Sequence, residues 1–187
     1  MRLLNWIWRQ HKPHKHHTLV THLAMDRAAL EAIKPPRPWG ADISFNREPT
    51  IAIADYRALY DSVGRAWHWV NRREIDDKSL AAIIHHPRTD IFVLRHRNTE
   101  IGFIEIHRHQ HPMVEIIFVG LLQEAIGQGF GQQMLHHALY HLAQAKIKTK
   151  RVIMQTCTLD HPSALPLYIK MGFRKTHTQR TIILDDY

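Results

Sequence analysis

The sequence predicts an α/β fold of the mixed, α+β kind, in which helices cover a mostly antiparallel central sheet. Three strand patterns follow one another at residues 90–97, 101–107 and 113–121, with short turns between them. Short connections of this kind join antiparallel neighbours. A helical pattern at 130–144 then leads to a β-branched run at 151–158, and such a crossover makes its two strands parallel. A mixed sheet follows from these two observations.

Two further strand patterns precede these elements. Residues 18–25 alternate weakly between apolar and polar side chains, which predicts an extra strand at an edge of the sheet. A stretch rich in proline and glycine at 35–40 then breaks the chain, and residues 42–47 predict a short strand. We therefore divide the sequence into a basic N-terminal extension, residues 1–40, and a core domain, residues 41–187.

The helices are predicted from apolar side chains at three- and four-residue steps. One helix covers 53–64 and a second covers 76–85, with Asp76 as its N-cap. A last helix covers 163–171, with Ser163 as its expected N-cap. The strands expected to close the sheet cover residues 173–175 and 181–184.

The composition is that of an ordinary globular protein. The 187 residues are 44% apolar and 22% charged, which suits one domain with a full hydrophobic core. A single cysteine excludes an intramolecular disulfide framework and fits a reducing compartment. The apolar run at residues 1–8 is too short for a secretory signal, so a cytoplasmic location is expected.

The formal charge of +8 is unevenly distributed along the chain. The first 25 residues hold four Lys or Arg and five His with no acid, so they attract anions. We relate this charge to a polyphosphate cofactor. Nucleic acid is not an expected partner, because the basic residues follow no known reader motif. The apolar segment at 3–8 is too short to bind a membrane firmly by itself, and no integral membrane association is expected.

The most informative motif is the glycine turn, Gly127-Gln128-Gly129-Phe130-Gly131, which lies between a strand pattern and a helix pattern. Alternate glycines let the main chain approach an anion closely, and the helix behind adds free N–H groups and the positive end of its dipole. The same layout also occurs as a plain tight connection. It matches neither a dinucleotide fingerprint nor a Walker loop. A pyrophosphate held by main-chain amides is the remaining ligand class.

The last predicted helix carries a second motif. The pattern Ala-x-x-x-Tyr-x-x-x-Gly-Phe falls on Ala164, Tyr168, Gly172 and Phe173. Together with the glycine turn and the order of elements, it resembles the GCN5-related N-acetyltransferase (GNAT) superfamily over residues 41–184. The resemblance implies a mixed sheet splayed after its fourth strand, with helices on both faces. It also implies acetyl-CoA, or a longer acyl-CoA, in the resulting cleft, and direct acyl transfer to an amine.

The resemblance also implies the cofactor contacts. The pantetheine and thioester would pair with the backbone at the end of the fourth strand, and the pyrophosphate with the main-chain amides of the glycine turn. Two positions depart from the family pattern: Ile126 replaces a polar side chain, and Asp160-His161 replaces the usual Asn, which weakens the expected side-chain contacts. The residues expected to hold the cofactor are Val119, Gly120, Leu121, Gly127, Gln128, Gly129, Phe130, Gly131, Gln132, Asp160 and His161.

By the same resemblance, Tyr168 is the acid that protonates the departing thiolate, the alternative being a plain core tyrosine. The acceptor amine must lose a proton, and Glu115 is the first candidate base. It lies in an apolar run, on a strand face predicted to include Ile117 and Val119, where a carboxylate is costly without a purpose. Glu105 on the adjoining strand is the alternative base. Either carboxylate could instead form a structural ion pair with an arginine.

The acceptor is implied to bind beside the first two helices of the core. That region is rich in aromatic side chains, whose faces attract an ammonium group. We expect one of the two tryptophans at positions 67 and 69 to line the acceptor pocket and leave open which. A small-molecule primary amine is the favoured acceptor, and the alternatives are a protein lysine or N-terminal amine, or a nonenzymatic acyl-CoA-binding module. The residues expected to contact the acceptor are Tyr56, Tyr60, Trp67, Trp69 and Glu105.

The 17 histidines do not form a strong metal motif. His107, His109 and His111 share one side of an extended segment, but no cysteine or acid completes the set, and acyl transfer needs no metal. We therefore predict no metal site. The oligomeric state stays open, and a homodimer is compatible with the sequence.

Overall fold

The computed structural model describes residues 13–145 and 149–185, which form seven strands and five α-helices. The strands are β1 His14–Asp26, β2 Ile43–Arg47, β3 Thr89–His96, β4 Thr99–His107, β5 Met113–Leu121, β6 Arg151–Cys157 and β7 Arg174–Asp185. The helices are α1 Arg27–Glu31, α2 Ile53–Gly64, α3 Asp77–Ile84, α4 Phe130–Gln144 and α5 Ala164–Lys170. Two 3₁₀ turns, Arg65–Trp67 and Gln123–Ala125, lie in the connections.

All seven strands belong to one mixed sheet in the order β2-β3-β4-β5-β6-β1-β7. Every neighbouring pair is antiparallel except β5 and β6, which are parallel and joined through α4. The parallel pair is hydrogen-bonded only between Met113–Ile116 and Arg151–Met154. Beyond Ile116 the two strands separate, so the sheet splays after the fourth strand of the predicted core. The predicted mixed, mostly antiparallel sheet is confirmed.

Helices cover both faces of this sheet. Along β3, neighbouring side chains belong to different cores: Leu94 contributes to the core that includes α4 and α5, and Val93 to the core that includes α2 and α3. Both α2 and α4 begin and end at the predicted residues, and Asp76 caps α3 as predicted, by accepting a hydrogen bond from the Ser79 N–H at 2.9 Å. Within the described ranges, no helix has both the length and the apolar character needed to span a bilayer.

The position of β1 differs from the prediction. The sequence predicts a strand at an edge, but β1 lies between β6 and β7 and is paired on both sides. Its alternation is real, because Leu23 and Met25 are buried whereas Leu19 is exposed. Alternation reports which faces of a strand are covered and not which of its edges are paired, so an interior strand and an edge strand give the same pattern.

The last strand is also longer than predicted. The sequence predicts two short strands, at 173–175 and 181–184, but β7 is continuous because residues 177–180 also pair with β1. Most of its side chains are exposed, so the middle of the strand carries no apolar signal. The division of the chain at residue 40 stays a prediction, although β1 and the core strands form one sheet.

Candidate active site

A cleft with a volume of about 380 Å³ opens where β5 and β6 separate. It is lined by residues 116–121 at the end of β5, by the three glycines of the glycine turn, by β6 and the start of α5, and by residues 67–69, which we name the tryptophan segment. Gln128 and Phe130 of the same turn do not line it. Predicted cofactor residues and two predicted acceptor residues therefore meet in one place. Volumes of this order are usual for small-ligand sites.

The glycine turn has the backbone that its sequence predicts. Gly127 and Gly129 have φ angles of +84° and +85°, a region that residues with a Cβ rarely adopt. Apart from the adjoining residues, no atom of the described chain lies within 4 Å of a Cβ built at either position. Both glycines line the cleft, so this part of the main chain faces open space there.

The start of α4 supplies donors beside this turn. Gly129 is the N-cap and has no side chain to cap the helix, and the first helical hydrogen bond joins the Gln133 N–H to the Gly129 carbonyl at 3.2 Å. The N–H groups of residues 130–132 come before that bond and have no acceptor within the helix. Lys170 Nζ, 2.9 Å from Gln132 Oε1, adds a positive charge at the same helix end. This donor set fits a pyrophosphate.

Side chains contribute little to this donor set. Ile126 lines the cleft without a polar group, as its departure from the family pattern predicts. Gln128 directs its side chain back to the loop, where Nε2 donates to the Glu124 carbonyl at 2.7 Å. Anion binding is therefore left mainly to the main chain.

The end of β5 presents an edge to the cleft. Val119, Gly120 and Leu121 pair with β4 on one side, whereas pairing with β6 has already ended at Ile116. Their backbone groups on the cleft side can therefore pair with an extended ligand in the manner of an added strand. A Cβ at Gly120 would lie 2.2 Å from Val63 and 3.0 Å from Trp69, so only glycine fits between this edge and the indole.

Tyr168 lines the cleft from the second turn of α5 and is 6% exposed. Burial, followed by the negative charge of Asp160, raises the pKa of its phenol well above the ordinary value. The phenol therefore keeps its proton across the physiological range and can serve there as a donor.

Asp160 and His161 both line the cleft, but their side chains are also engaged within their own loop. Asp160 Oδ2 accepts hydrogen bonds from Thr156 Oγ1 at 2.6 Å and from the Cys157 N–H at 2.9 Å. His161 Nδ1 accepts from the Ser163 N–H at 3.1 Å and contacts the Ser163 hydroxyl at 2.7 Å. Ser163 takes the predicted N-cap position of α5, yet its side chain makes no cap hydrogen bond because it contacts His161.

The two predicted tryptophans both line the cleft but have different surroundings. The Trp69 ring packs against Phe118 at a centroid distance of 4.9 Å and against Tyr60 at 5.6 Å, so it extends the core. The Trp67 ring contacts His161 edge-on at 5.3 Å, on the β6 side of the cleft. The tryptophan segment therefore touches both sides of the cleft.

Three other predicted acceptor residues do not line the cleft. Tyr56, Tyr60 and Glu105 are fully buried beneath it. Glu105 accepts hydrogen bonds from the Tyr56 hydroxyl, from Arg72 at 2.6 Å and from His107 at 2.6 Å. Burial raises the pKa of this carboxyl, but His107, Arg72 and Tyr56 together lower it below its ordinary value. Glu105 is thus an ionised carboxylate in a structural network, which was the alternative interpretation of its sequence.

Glu115 is half-buried on β5 and is not among the residues that line the cleft. The sequence places it on one face with Ile117 and Val119, and that expectation is wrong. Ile106 pairs with Ile116, but the preceding Glu105 pairs with Phe118, so Ile117 is an extra residue in β5. Such a register shift moves every following side chain to the opposite face.

Sequence reasoning missed a polar cluster at the cleft wall. His68 lines the cleft, its Nδ1 is hydrogen-bonded to Asp185, and Asp185 also accepts a bond from His16 Nε2 at 3.4 Å. Each of these residues has one nitrogen or oxygen atom that could bind a metal, and the three atoms lie within 4.8 Å of one another. Among the described residues, these three form the one group of histidine, cysteine or acidic side chains that is compact enough to hold an ion. No local pattern could have revealed it, because the three residues are far apart in sequence. The absence of a metal stays a prediction.

Solved structures share this fold. A GCN5-related N-acetyltransferase from Kribbella flavida has a TM-score of 0.58 at 13% identity, with coverage of 91% of this chain and 60% of that one. An aminoglycoside acetyltransferase from an uncultured soil metagenomic sample, in complex with trehalose, has a TM-score of 0.57 at 16% identity, with coverage of 70% and 88%. At these identities the likeness concerns the fold alone.

Two sequence comparisons bear on the family of the chain. A mycothiol acetyltransferase of Corynebacterium efficiens is 29% identical over 97 residues, which cover 52% of this chain and 31% of the relative. The chain thus spans about a third of that relative's length. The model of the acetyltransferase (GNAT) family matches residues 56–173, more than half of the chain and including the glycine turn and Tyr168. The chain therefore belongs to the acetyltransferase (GNAT) family.

Proposed function

We propose that this protein is an N-acetyltransferase that moves an acetyl group directly from acetyl-CoA to a primary amine of a small molecule. One observation carries the proposal: a single cleft joins the glycine turn, the unpaired end of β5 and the tryptophan segment. The residues proposed to bind the cofactor and those proposed to bind the acceptor thus border the same space, which is what direct transfer between two bound molecules requires.

Acetyl-CoA would supply the acyl group as a thioester. The main-chain amides at the start of α4 would hold its pyrophosphate, and the backbone of Val119, Gly120 and Leu121 would hold its pantetheine arm. Tyr168 would give its proton to the departing sulfur, since the buried phenol stays protonated.

The tryptophan segment favours a small acceptor over a peptide. Trp69 rests on β5, and Trp67 reaches His161 on the other side, so the segment bridges the space that an extended peptide would need as an open groove. The faces of both indoles are suited to an ammonium group. Two similar proteins are named for small molecules, mycothiol and an aminoglycoside, which supports the same class.

Release of free thiol from acetyl-CoA tests the acceptor class. Initial rates would be measured with a panel of small primary amines, with lysine peptides and with peptides that carry a free N-terminus. We expect kcat/KM for the best small amine to exceed that for the best peptide by at least about tenfold. A preference for peptides would assign a protein acetyltransferase. Tight binding of acetyl-CoA without transfer to any amine would assign a nonenzymatic module.

Tyr168→Phe tests the proton donor, because it removes only the hydroxyl. We expect kcat to fall by roughly 100-fold, the usual contribution of a general acid, with the Kd for acetyl-CoA unchanged. Tyr140→Phe, on α4 and outside the lining of the cleft, is the matched control and should keep full activity. Full kcat in Tyr168→Phe would show that another group protonates the sulfur.

A further inference from the structure

His68, at the centre of the tryptophan segment, has its imidazole tied to a buried carboxylate. Its Nδ1 is hydrogen-bonded to Asp185 on β7, which is 2% exposed. His16 on β1 contributes a second hydrogen bond to the same carboxylate, at 3.4 Å, and the two imidazole rings lie 4.1 Å apart. Two of these residues, His16 and Asp185, lie outside the 56–173 segment that matches the family model, so the family match does not include the whole cluster.

The hydrogen bond sets the tautomer of His68. Burial raises the pKa of Asp185, but the bonds and charges of His68 and His16 lower it below its ordinary value. An ionised carboxylate can only accept, so Nδ1 of His68 must carry the proton of that bond. In the neutral ring the lone pair is then on Nε2, the atom that can accept a proton from a ligand.

The backbone holds this ring at the cleft. His68 has φ of 58° and ψ of 39°, a left-handed conformation that is unfavourable for a residue with a Cβ. On either side of it, Trp69 packs on β5 and Trp67 contacts His161 after β6. Residues held in such a conformation by their surroundings are often found at functional sites.

We propose that His68 is the catalytic base of the acetyl transfer and that Asp185 is its positioning residue. This inference rests on the proposed function. The acceptor reacts as the neutral amine: its nitrogen gives one proton to Nε2 of His68 and forms the bond to the acyl carbon, while the carbon–sulfur bond breaks and the sulfur takes the phenol proton of Tyr168. The phenolate then recovers a proton through solvent, ultimately from the imidazolium, so protons balance over the cycle.

Other candidate bases are less well placed. Neither Glu105 nor Glu115 lines the cleft, and the carboxylate of Asp160, which does, already accepts two hydrogen bonds at Oδ2. The charged and titratable groups that face His68 are Asp185 from β7 and His16 from β1, and His14 lies next to His16 at a ring distance of 6.5 Å. Asp185 is therefore the one anion in direct contact with the ring among the described residues.

His68→Gly is the most direct test, because glycine accepts the left-handed backbone and leaves space for an added imidazole. With the best small amine, we expect kcat/KM at neutral pH to fall by roughly 100-fold and to recover in part with exogenous imidazole. His17→Ala, on the exposed side of β1, is the control and should keep full activity. Equal activity of His68→Gly and wild type would overturn the proposal, as would a loss that imidazole does not restore in a protein with unchanged circular dichroism.

The Asp185→Asn variant tests whether Asp185 positions His68 for catalysis or only stabilises the fold. We expect kcat to fall while the KM for the amine stays within about twofold of wild type, because a neutral amide no longer fixes the proton of His68 on Nδ1. A loss carried by the KM for the amine, with kcat unchanged, would mean a structural role only. In the unliganded wild type, nitrogen NMR should show the proton of neutral His68 on Nδ1, and a proton on Nε2 would contradict the mechanism whatever the activity.

Two further outcomes are distinguishable. If wild type transfers acetyl to no amine, the proposed function fails and the base falls with it. If chelation by EDTA abolishes the activity of wild type and Zn²⁺ restores it, then His16, His68 and Asp185 are metal ligands and the assignment of a base is wrong. We expect activity that is insensitive to EDTA.

Discussion

At the scale of single residues, Glu105 is a buried charge that is stabilised by its hydrogen-bond partners and has a structural role. Its carboxylate is fully buried and accepts hydrogen bonds from Tyr56, Arg72 and His107. Arg72 in turn covers the ring of Phe118 at 5.1 Å. The network therefore fixes the floor beneath the cleft, and removal of one partner would leave an uncompensated charge in the core.

Glu105→Gln should lower the free energy of unfolding at neutral pH by about 3–5 kcal/mol, because Arg72 loses its buried counter-ion. Glu100→Gln is the control, since Glu100 pairs with Arg95 at 2.8 Å but is partly exposed, and such pairs contribute less than about 1 kcal/mol. Urea unfolding measures both. Equal losses in the two variants would mean that burial does not set the importance of the Glu105 network.

The effect of Glu105 should also depend on pH in one direction. The pKa of Glu105 is lowered in the folded protein, so its stabilisation is complete above the pKa of the unfolded chain and is lost as the pH falls through the folded value. The difference between wild type and Glu105→Gln should therefore be constant near neutrality and shrink in acid, below about pH 4. A difference that grows on acidification would contradict the assignment of an ionised carboxylate.

At the scale of elements, the glycine turn and α4 act together. Gly129→Ala would force a residue with a Cβ into φ of +85°, at a cost of about 1–2 kcal/mol, although the Cβ itself meets no neighbour. The turn can relieve this strain only by moving the amides at the helix start, so we expect the affinity for acetyl-CoA to fall by roughly tenfold, as measured by calorimetry. Gly40→Ala is the control: it has open space around it, has no positive φ and lies outside the cleft, and it should leave affinity unchanged.

Elements defined by local patterns were predictable, and those defined by their partners were not. The bounds of α2 and α4 follow from apolar spacing within each helix, and the glycine turn reaches the cleft because it lies at the start of a helix after a splayed strand. The extra residue Ile117 in β5 depends on its register with β4. Because that register has no signature in β5 alone, period-two reasoning assigned Glu115 to the wrong face.

For the whole molecule, the two ends of the described chain meet beside the cleft, at His68. His16 and Asp185 lie 169 residues apart, yet β1 and β7 are neighbours and bring both side chains to His68. The sequence marks residues 67–69 as unusual but contains nothing that connects them to positions 16 and 185. A contact of this kind depends on the strand order, which is a property of the complete sheet.

The position of β1 inside the sheet also predicts that the domain begins before residue 41. If β1 is an integral strand, Leu23→Ala should lower the free energy of unfolding by about 2–5 kcal/mol, because Leu23 is 1% exposed within the main core. Leu19→Ala makes the same chemical change on the same strand at a side chain that is 39% exposed, and it should change stability by less than about 1 kcal/mol.

Urea unfolding followed by tryptophan fluorescence would measure the two leucine variants. Small losses in both would mean that β1 docks weakly on a core that is complete from residue 41. A large loss in Leu23→Ala alone would place the start of the domain before residue 41. In that case β1 supports the cleft from within the sheet, and its pairing with β7 keeps His16 next to Asp185.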